Sequence, residues 1–276
     1  MMRSRLVPLV VAAALALPSA AWGKRDRYAD LSDRQVYELG AKELEKENYY
    51  QARTLFERVV KRGKDDPEVS PLVLLGLADS YFGKKGLLNL TEATTRYSSF
   101  LTFYPTHAKA DYAQYQLALC HFQQVYAADR DQKETRVALD EFRKVQAQYP
   151  DSPYVDLAGE KILEGYDLLA EHEFRVGTFY HEGGRYLGAI GRYLTILDRY
   201  PRYVGKDKVY YYLAHSLIRT ERPEEGAVYI EKLRETYPES EWAHKAARLL
   251  DTTDAQQAAV PPTAPAPAPA PAGGAR

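Results

Sequence analysis

The sequence predicts an all-α protein: about five helix pairs wound into a right-handed solenoid, closed by a C-terminal cap helix. Three observations carry that expectation. Apolar residues recur at three- and four-residue spacing through most of the chain, the period of amphipathic helices. Four dipeptides, Tyr104-Pro105, Tyr149-Pro150, Tyr200-Pro201 and Tyr237-Pro238, end four such segments. Proline lacks a backbone donor and pushes its predecessor out of helical geometry. A small residue stands twelve positions before each proline: Ala93, Ala138, Ala189 and Gly226. That wording, best formed in residues 169–201 with Ala189, Tyr193 and Pro201, is the signature of tetratricopeptide repeats, in which small residues let paired helices approach closely.

In chain order, Ser32 and Asp33 are good helix starters. The first helix reaches about Glu47 with Val36, Leu39, Gly40 and Leu44 inward; Asn48 turns it, and Ala52, Leu55, Phe56 and Val59 mark its partner. This first unit departs from the pattern, its proline displaced to Pro67, as terminal repeats often do. The second unit opens at Ser70-Pro71, proline suiting a first helical turn. It carries Leu77, Ala78 and Tyr81, a long loop at residues 83–86, then Ala93, Tyr97 and Phe100. The third has Tyr112, Tyr115, Leu117, Ala118 and Phe122, a longer insertion at residues 127–134, then Ala138 and Phe142. Residues 154–168 are helical in pattern and run on into the fourth unit as one long helix, broken at Gly183-Gly184. The fifth has Tyr210, Leu213, Ala214 and Leu217, then Gly226 and Ile230. Residues 240–251 read as a cap helix whose Trp242 and Leu249-Leu250 cover the last apolar face.

Both ends differ in composition. Residues 1–23 have a positive start, an apolar run and small residues at 18–23, the pattern of a cleavable secretory signal. The apolar run is short for a span of about 20 residues. Residues 24–31 form a polar lead, residues 32–251 the repeat domain and residues 252–276 an Ala/Pro-rich, disordered tail. Its last stretch, residues 260–276, holds six prolines and would extend roughly 50 Å at about 3.1 Å per residue. It reads as a tether or spacer, or as an unselected low-complexity end. A lipoprotein needs a cysteine at the cleavage point and none stands there, so the expectation is an exported chain without an N-terminal lipid.

Charge and motifs narrow the function classes. Net charge is −1 and no long basic run occurs, which argues against nucleic acid as a partner. Cys120 is the only cysteine, which excludes an internal disulfide and a cysteine metal cluster. His172-Glu173 lacks the second histidine of a zinc-hydrolase helix, and Gly76, Gly83 and Lys84 have the wrong spacing for a phosphate loop. No Gly-x-Ser-x-Gly or Ser-x-x-Lys occurs. Cys120 and His121 point about 100° apart on a helix, so Cys120 reads as a small buried hydrophobe. The expectation is a non-catalytic scaffold with no cofactor and no metal, its groove lined by the first helix of each pair. The 23 tyrosines, against 8 phenylalanines, suit side chains half in a core and half in a groove.

Particular words go beyond the repeat. Residues 28–32 (Tyr-Ala-Asp-Leu-Ser), Tyr104-Pro105-Thr106-His107 with Asp111-Tyr112-Ala113 and Tyr115, and Asp129-Arg130-Asp131 with Arg136, Ala138 and Phe142 are three of them. Leu169-Ala170-Glu171-His172-Glu173 with Phe179-Tyr180, Gly184, Ala189 and Arg192 is the fourth. In these the chain from about Tyr28 to Leu250 resembles the BamD family of outer-membrane β-barrel assembly factors, differing in the missing lipidation cysteine. The resemblance implies a periplasmic scaffold at the inner face of the outer membrane, held there through protein partners. Its N-terminal repeats would receive the C-terminal segments of unfolded barrel proteins, and its C-terminal repeats would dock the periplasmic domains of the insertase subunit. Arg192 is the foremost candidate for that contact, with Arg185, Tyr112, Tyr115 and Arg130 as further partner-binding candidates. The alternative is a general periplasmic tetratricopeptide adaptor for cell-envelope or cell-wall machinery.

Overall fold

The computed structural model describes residues 27–124 and 131–258, with side chains to residue 249. The signal segment, Arg130 and residues 259–276 lie outside the described residues. Among those described, every regular element is a helix: α1 Asp33–Glu45, α2 Tyr49–Arg62, α3 Ser70–Lys84, α4 Leu87–Phe103, α5 Ala110–Phe122, α6 Lys133–Gln148, α7 Val155–Glu182, α8 Tyr186–Arg199, α9 Lys206–Ile218, α10 Pro223–Thr236 and α11 Glu241–Ala258. Each packs on the next along the chain, and α11 covers α9 and α10. The core is therefore a row of local clusters, each built from three successive helices, rather than one central mass. No helix of the described residues is long and apolar enough to cross a membrane.

Local chemistry sets the boundaries. Ser32 caps α1 in a reciprocal box: its hydroxyl accepts from the Gln35 amide at 3.2 Å, and the Gln35 side chain accepts from the Ser32 amide at 2.9 Å. Pro71 and Pro223 sit in first turns of α3 and α10. The four tyrosines before proline end their helices in one conformation, φ between −126° and −134° and ψ between 55° and 60°. In each the tyrosine N–H still donates to the carbonyl four residues back before the chain leaves the helix. The small residues twelve positions before the prolines are buried, as close helix pairing requires.

A second regularity lies three residues beyond the last three of these tyrosines. Ser152 donates to Asp111 at 2.7 Å and Ser240 to Asp207 at 2.6 Å, each clasping the turn after a pair to the first turn of that pair's leading helix. In the fourth pair Tyr203 stands at this place, and its longer side chain reaches Glu171 on α7, which also receives Lys208 at 2.8 Å. Burial opposes the ionisation of Glu171, but the hydrogen bonds from Lys208 and Tyr203 outweigh it and hold its carboxyl below the usual range.

Two expectations need correction. The loop at residues 83–86 is not long: α3 continues through Gly83 to Lys84, leaving only Lys85 and Gly86 between the helices. Gly83 stays helical because its missing side chain makes room for Tyr49, whose ring a Cβ there would meet at 2.2 Å. The tail does not begin at Thr252, because α11 runs on to Ala258; alanine and glutamine sustain a helix that composition alone assigned to the low-complexity end. Residues 155–182 do run as one long helix, and Cys120 is buried, its thiol pushed up to about 12 by burial.

Candidate protein-docking surface

The candidate surface is built on α7 and α8. Both are amphipathic, and Ala170, Phe174, Ala189, Ile190, Tyr193 and Ile196 fill the cluster between them and α9. Gly177 is the close-approach point: a Cβ there would lie 2.6 Å from the Tyr193 ring. Arg192 lies on the rim of this packing and donates to Glu173 of α7 at 2.9 Å, which raises its pKa and fixes its direction. With its side chain 43% exposed, Arg192 still presents a cationic face outward. Arg199 follows two turns later, on the same side of α8.

Beyond Arg199 the surface opens into a cavity of about 440 Å³ lined by Leu163, Tyr166, Asp167, Tyr200 and the turn at Arg202 and Val204. A shallower one, about 330 Å³, continues past Tyr166 and Tyr200 to Arg136 and Arg143 of α6. Arg143 is paired with Asp140 at 2.5 Å and donates to the Tyr166 hydroxyl at 2.6 Å. Arg136, Arg199 and Arg202 are exposed and make no ion pair among the described residues. Burial raises the Asp167 carboxyl, against the Val204 backbone hydrogen bond. The result is an apolar floor under an arginine-rich rim, suited to an anionic surface that carries an apolar anchor.

The other sequence-derived candidates do not join this surface. Arg185 is exposed at the start of α8, on the turn after α7. Tyr112 and Tyr115 lie on α5, two helices before α7 in the row. The Tyr112 hydroxyl donates to Asp79 at 2.8 Å beside that of Tyr97 at 2.6 Å, and Tyr115 is 9% exposed and stacked on Tyr154. Both rings are committed to packing between repeats. Arg130 lies outside the described residues.

Sequence reasoning missed a histidine pair between α7 and α9. His181 Nε2 and His215 Nδ1 are 2.8 Å apart among Tyr186, Tyr211 and Tyr212. Their positions, 34 residues apart, carry no motif that would announce the contact. One nitrogen must donate and the other accept, so the pair cannot be doubly protonated and keep its bond. Burial, then His215 and Arg219, lower His181 to about 4; burial and Arg219 lower His215. Both groups therefore take up protons more readily in the unfolded chain, so their contribution is complete above the ordinary histidine value near 6.5 and is lost as pH falls from there toward about 4. Both rings are partly exposed, so solvent reduces the effect to about 1–2 kcal/mol. Urea midpoints at pH 7 and pH 5 measure it, and the difference shrinks in a His181→Gln chain.

A family model described as YfiO, outer membrane lipoprotein, matches residues 29–219, from the lead into α1 through the end of α9. The chain belongs to the YfiO family. Relatives of this YfiO chain include the outer membrane protein assembly factor BamD of Caulobacter vibrioides, 28% identical over 82% of this chain and 73% of the relative. The BamD of Rickettsia prowazekii is 26% identical over 78% and 84%, and that of Neisseria gonorrhoeae 26% over 84% and 91%. Among solved structures, a MamA protein aligns at 18% identity with a TM-score of 0.33, over 74% of this chain and 90% of that one. MamA of Desulfovibrio magneticus aligns at 16% identity with a TM-score of 0.35, over 76% and 97%. The all-α YfiO array places Arg192 and the cavity within or beside α7 and α8, both inside the matched span.

Proposed function

We propose that this chain is a non-catalytic periplasmic scaffold for outer-membrane protein assembly, binding the periplasmic domains of the barrel insertase, barrel-protein precursors, or both. The observation that carries the reading is the YfiO match, which spans nine of the helices, together with BamD relatives that align over most of their own length. The α7–α8 surface is the docking face for the insertase. Arg192, held out by Glu173, meets acidic groups of the partner together with Arg199 and Arg202, which make no ion pair among the described residues, while the cavity at Tyr166 and Tyr200 takes an apolar side chain. Protein contacts of this kind keep the chain at the inner face of the outer membrane.

The test is affinity purification from envelope extract after mild cross-linking. The insertase subunit is expected to co-purify with the wild-type chain and to be lost with Arg192→Glu, which strands Glu173 and reverses the charge of the face. Burying an unmatched charge at an interface costs about 2–5 kcal/mol, enough to remove the partner from a pull-down. Circular dichroism confirms that the variant remains helical. Recovery of cell-wall enzymes in place of the insertase, with barrel-protein levels normal on depletion, would reject this reading.

A further inference from the structure

The outward face of α4 lies apart from the surface on α7 and α8 and carries almost no charge. Its stripe of Leu88, Thr91, Thr95, Ser99 and Thr102 follows the helix period. The hydroxyls of that stripe donate to the carbonyls four residues back, at 2.8 to 3.1 Å, so their donors are satisfied inside the helix. Glu92 and Arg96, the charged residues of α4, pair with each other at 3.8 Å. Leu88 is 83% exposed, the most of any large apolar side chain among the described residues, and Leu87 beside it is 56% exposed. A surface helix normally turns its charges to water; α4 turns leucine and satisfied hydroxyls.

Charge gathers at one end of this helix. Lys84 and Lys85 close α3 directly before Leu87 and Leu88 open α4, so residues 84–88 form one exposed corner. No acidic residue occurs between Asp79 and Glu92, and neither lysine makes an ion pair among the described residues. Lys85 has positive φ, as do Glu47, Gly184 and Glu221 in the turns inside other pairs. Lys85 is the cation among them, so the turn geometry does not itself call for lysine. Tyr49 packs at Gly83, which brings the α1–α2 turn alongside; its Glu45 and Glu47 confine the cationic patch to residues 84–88.

We propose that this corner docks on an anionic lipid bilayer, with Leu87 and Leu88 entering the headgroup boundary and Lys84 and Lys85 meeting lipid phosphates. Charge complementarity selects that occupant. Lysine stems reach from the depth of the leucines back to the headgroups, and a fluid surface closes around a convex corner without a preformed pocket. The α7–α8 turn also exposes a leucine, Leu187 at 72%, but Glu182 precedes Arg185 there and offsets its charge. Two leucines and two lysines hold less firmly than paired acyl chains, so the contact is reversible and orients the array against the bilayer.

The chain from Lys24 to Arg276, free of the apolar run at residues 6–17 that would itself enter lipid, is sedimented with two kinds of vesicle. One mixes phosphatidylglycerol with phosphatidylcholine; the other is phosphatidylcholine alone. Binding is expected with the mixed vesicles and should weaken as added salt screens the surface. Replacing both lysines, Lys84→Gln with Lys85→Gln, should weaken it about tenfold or more. Leu87→Ser with Leu88→Ser should weaken it by about the same factor. These side chains are exposed, so circular dichroism should stay that of the parent, and Leu187→Ser should bind as the parent does. Because Cys120 is buried, an environment-sensitive dye on Leu88→Cys marks one position. Its emission should move to the blue with mixed vesicles, whereas a dye on Val228→Cys of α10 should not respond. No binding to mixed vesicles, equal binding to phosphatidylcholine alone, or a loss with Leu187→Ser but not with the serine pair at 87 and 88 would overturn the proposal. The vesicles contain no protein partner, so this result and the insertase pull-down fail independently.

Discussion

Phe56→Ala is expected to lose about 3–5 kcal/mol, the largest effect expected of a single substitution in this chain. Phe56 is fully buried on α2 and is held from both sides by backbone. A Cβ at Gly40 of α1 or at Gly76 of α3 would lie 2.6 Å from its ring, so the ring occupies the space those two glycines leave open. Three helices meet on this one side chain, with Tyr37 at 5.8 Å. Removing it leaves a hole that glycines cannot fill. The helices cannot close over that hole without losing the packing of Val36, Leu55 and Leu77 in the same cluster. Urea unfolding followed by circular dichroism measures the loss. A Phe56→Leu chain should lose clearly less, because most of the volume remains. Equal losses would show that ring shape, not cavity volume, controls the site.

Gly177→Val is the second, expected to cost about 1–3 kcal/mol by overpacking. Valine at 177 drives into Tyr193, which is fully buried and fixed by Phe174 at 5.8 Å and Tyr212 at 6.2 Å. The ring has no free direction in which to move, so α7 and α8 must separate. Gly191→Val on the outer face of α8 is the control: nothing lies within 4 Å of a Cβ there, and midpoint and slope should stay near wild type. Because α7 and α8 also carry Arg192, Gly177→Val should weaken partner recovery in the pull-down, whereas Gly191→Val should unfold no differently from the parent.

These two sites show where reading the sequence succeeds and where it stops. Phe56, Gly40, Gly177 and Tyr193 all stand at inward positions of the repeat period, and the outline of their contacts follows from spacing. Which ring meets which glycine does not, because a face assignment fixes direction but not the partner across the gap. The candidate surface divides in the same way. Arg192 is named by a word of sequence, and its outward placement follows from the helix period. The cavity at Tyr166 and Tyr200 does not, since it needs α7 and the turn at residues 200–204 to lie side by side. Tyr112 and Tyr115 illustrate the opposite case: their words are distinctive, but their rings serve Asp79 and Tyr154 rather than an open groove.

The all-α class, the repeat register and most helix ends follow from the residues alone, because 3.6-residue periodicity, capping residues and proline act within a few positions of one another. How the turn of the fourth pair is fastened follows only from the packed chain. Tyr203 replaces serine there and ties Glu171 and Lys208 into one cluster. Packing likewise brings His181 and His215 into one hydrogen bond and sets Tyr211 and Tyr212 against Trp242. Those contacts join side chains about 30 residues apart, and they exist only because successive helix pairs stack. Periodicity sets the face each residue occupies; stacking sets the neighbour it finds.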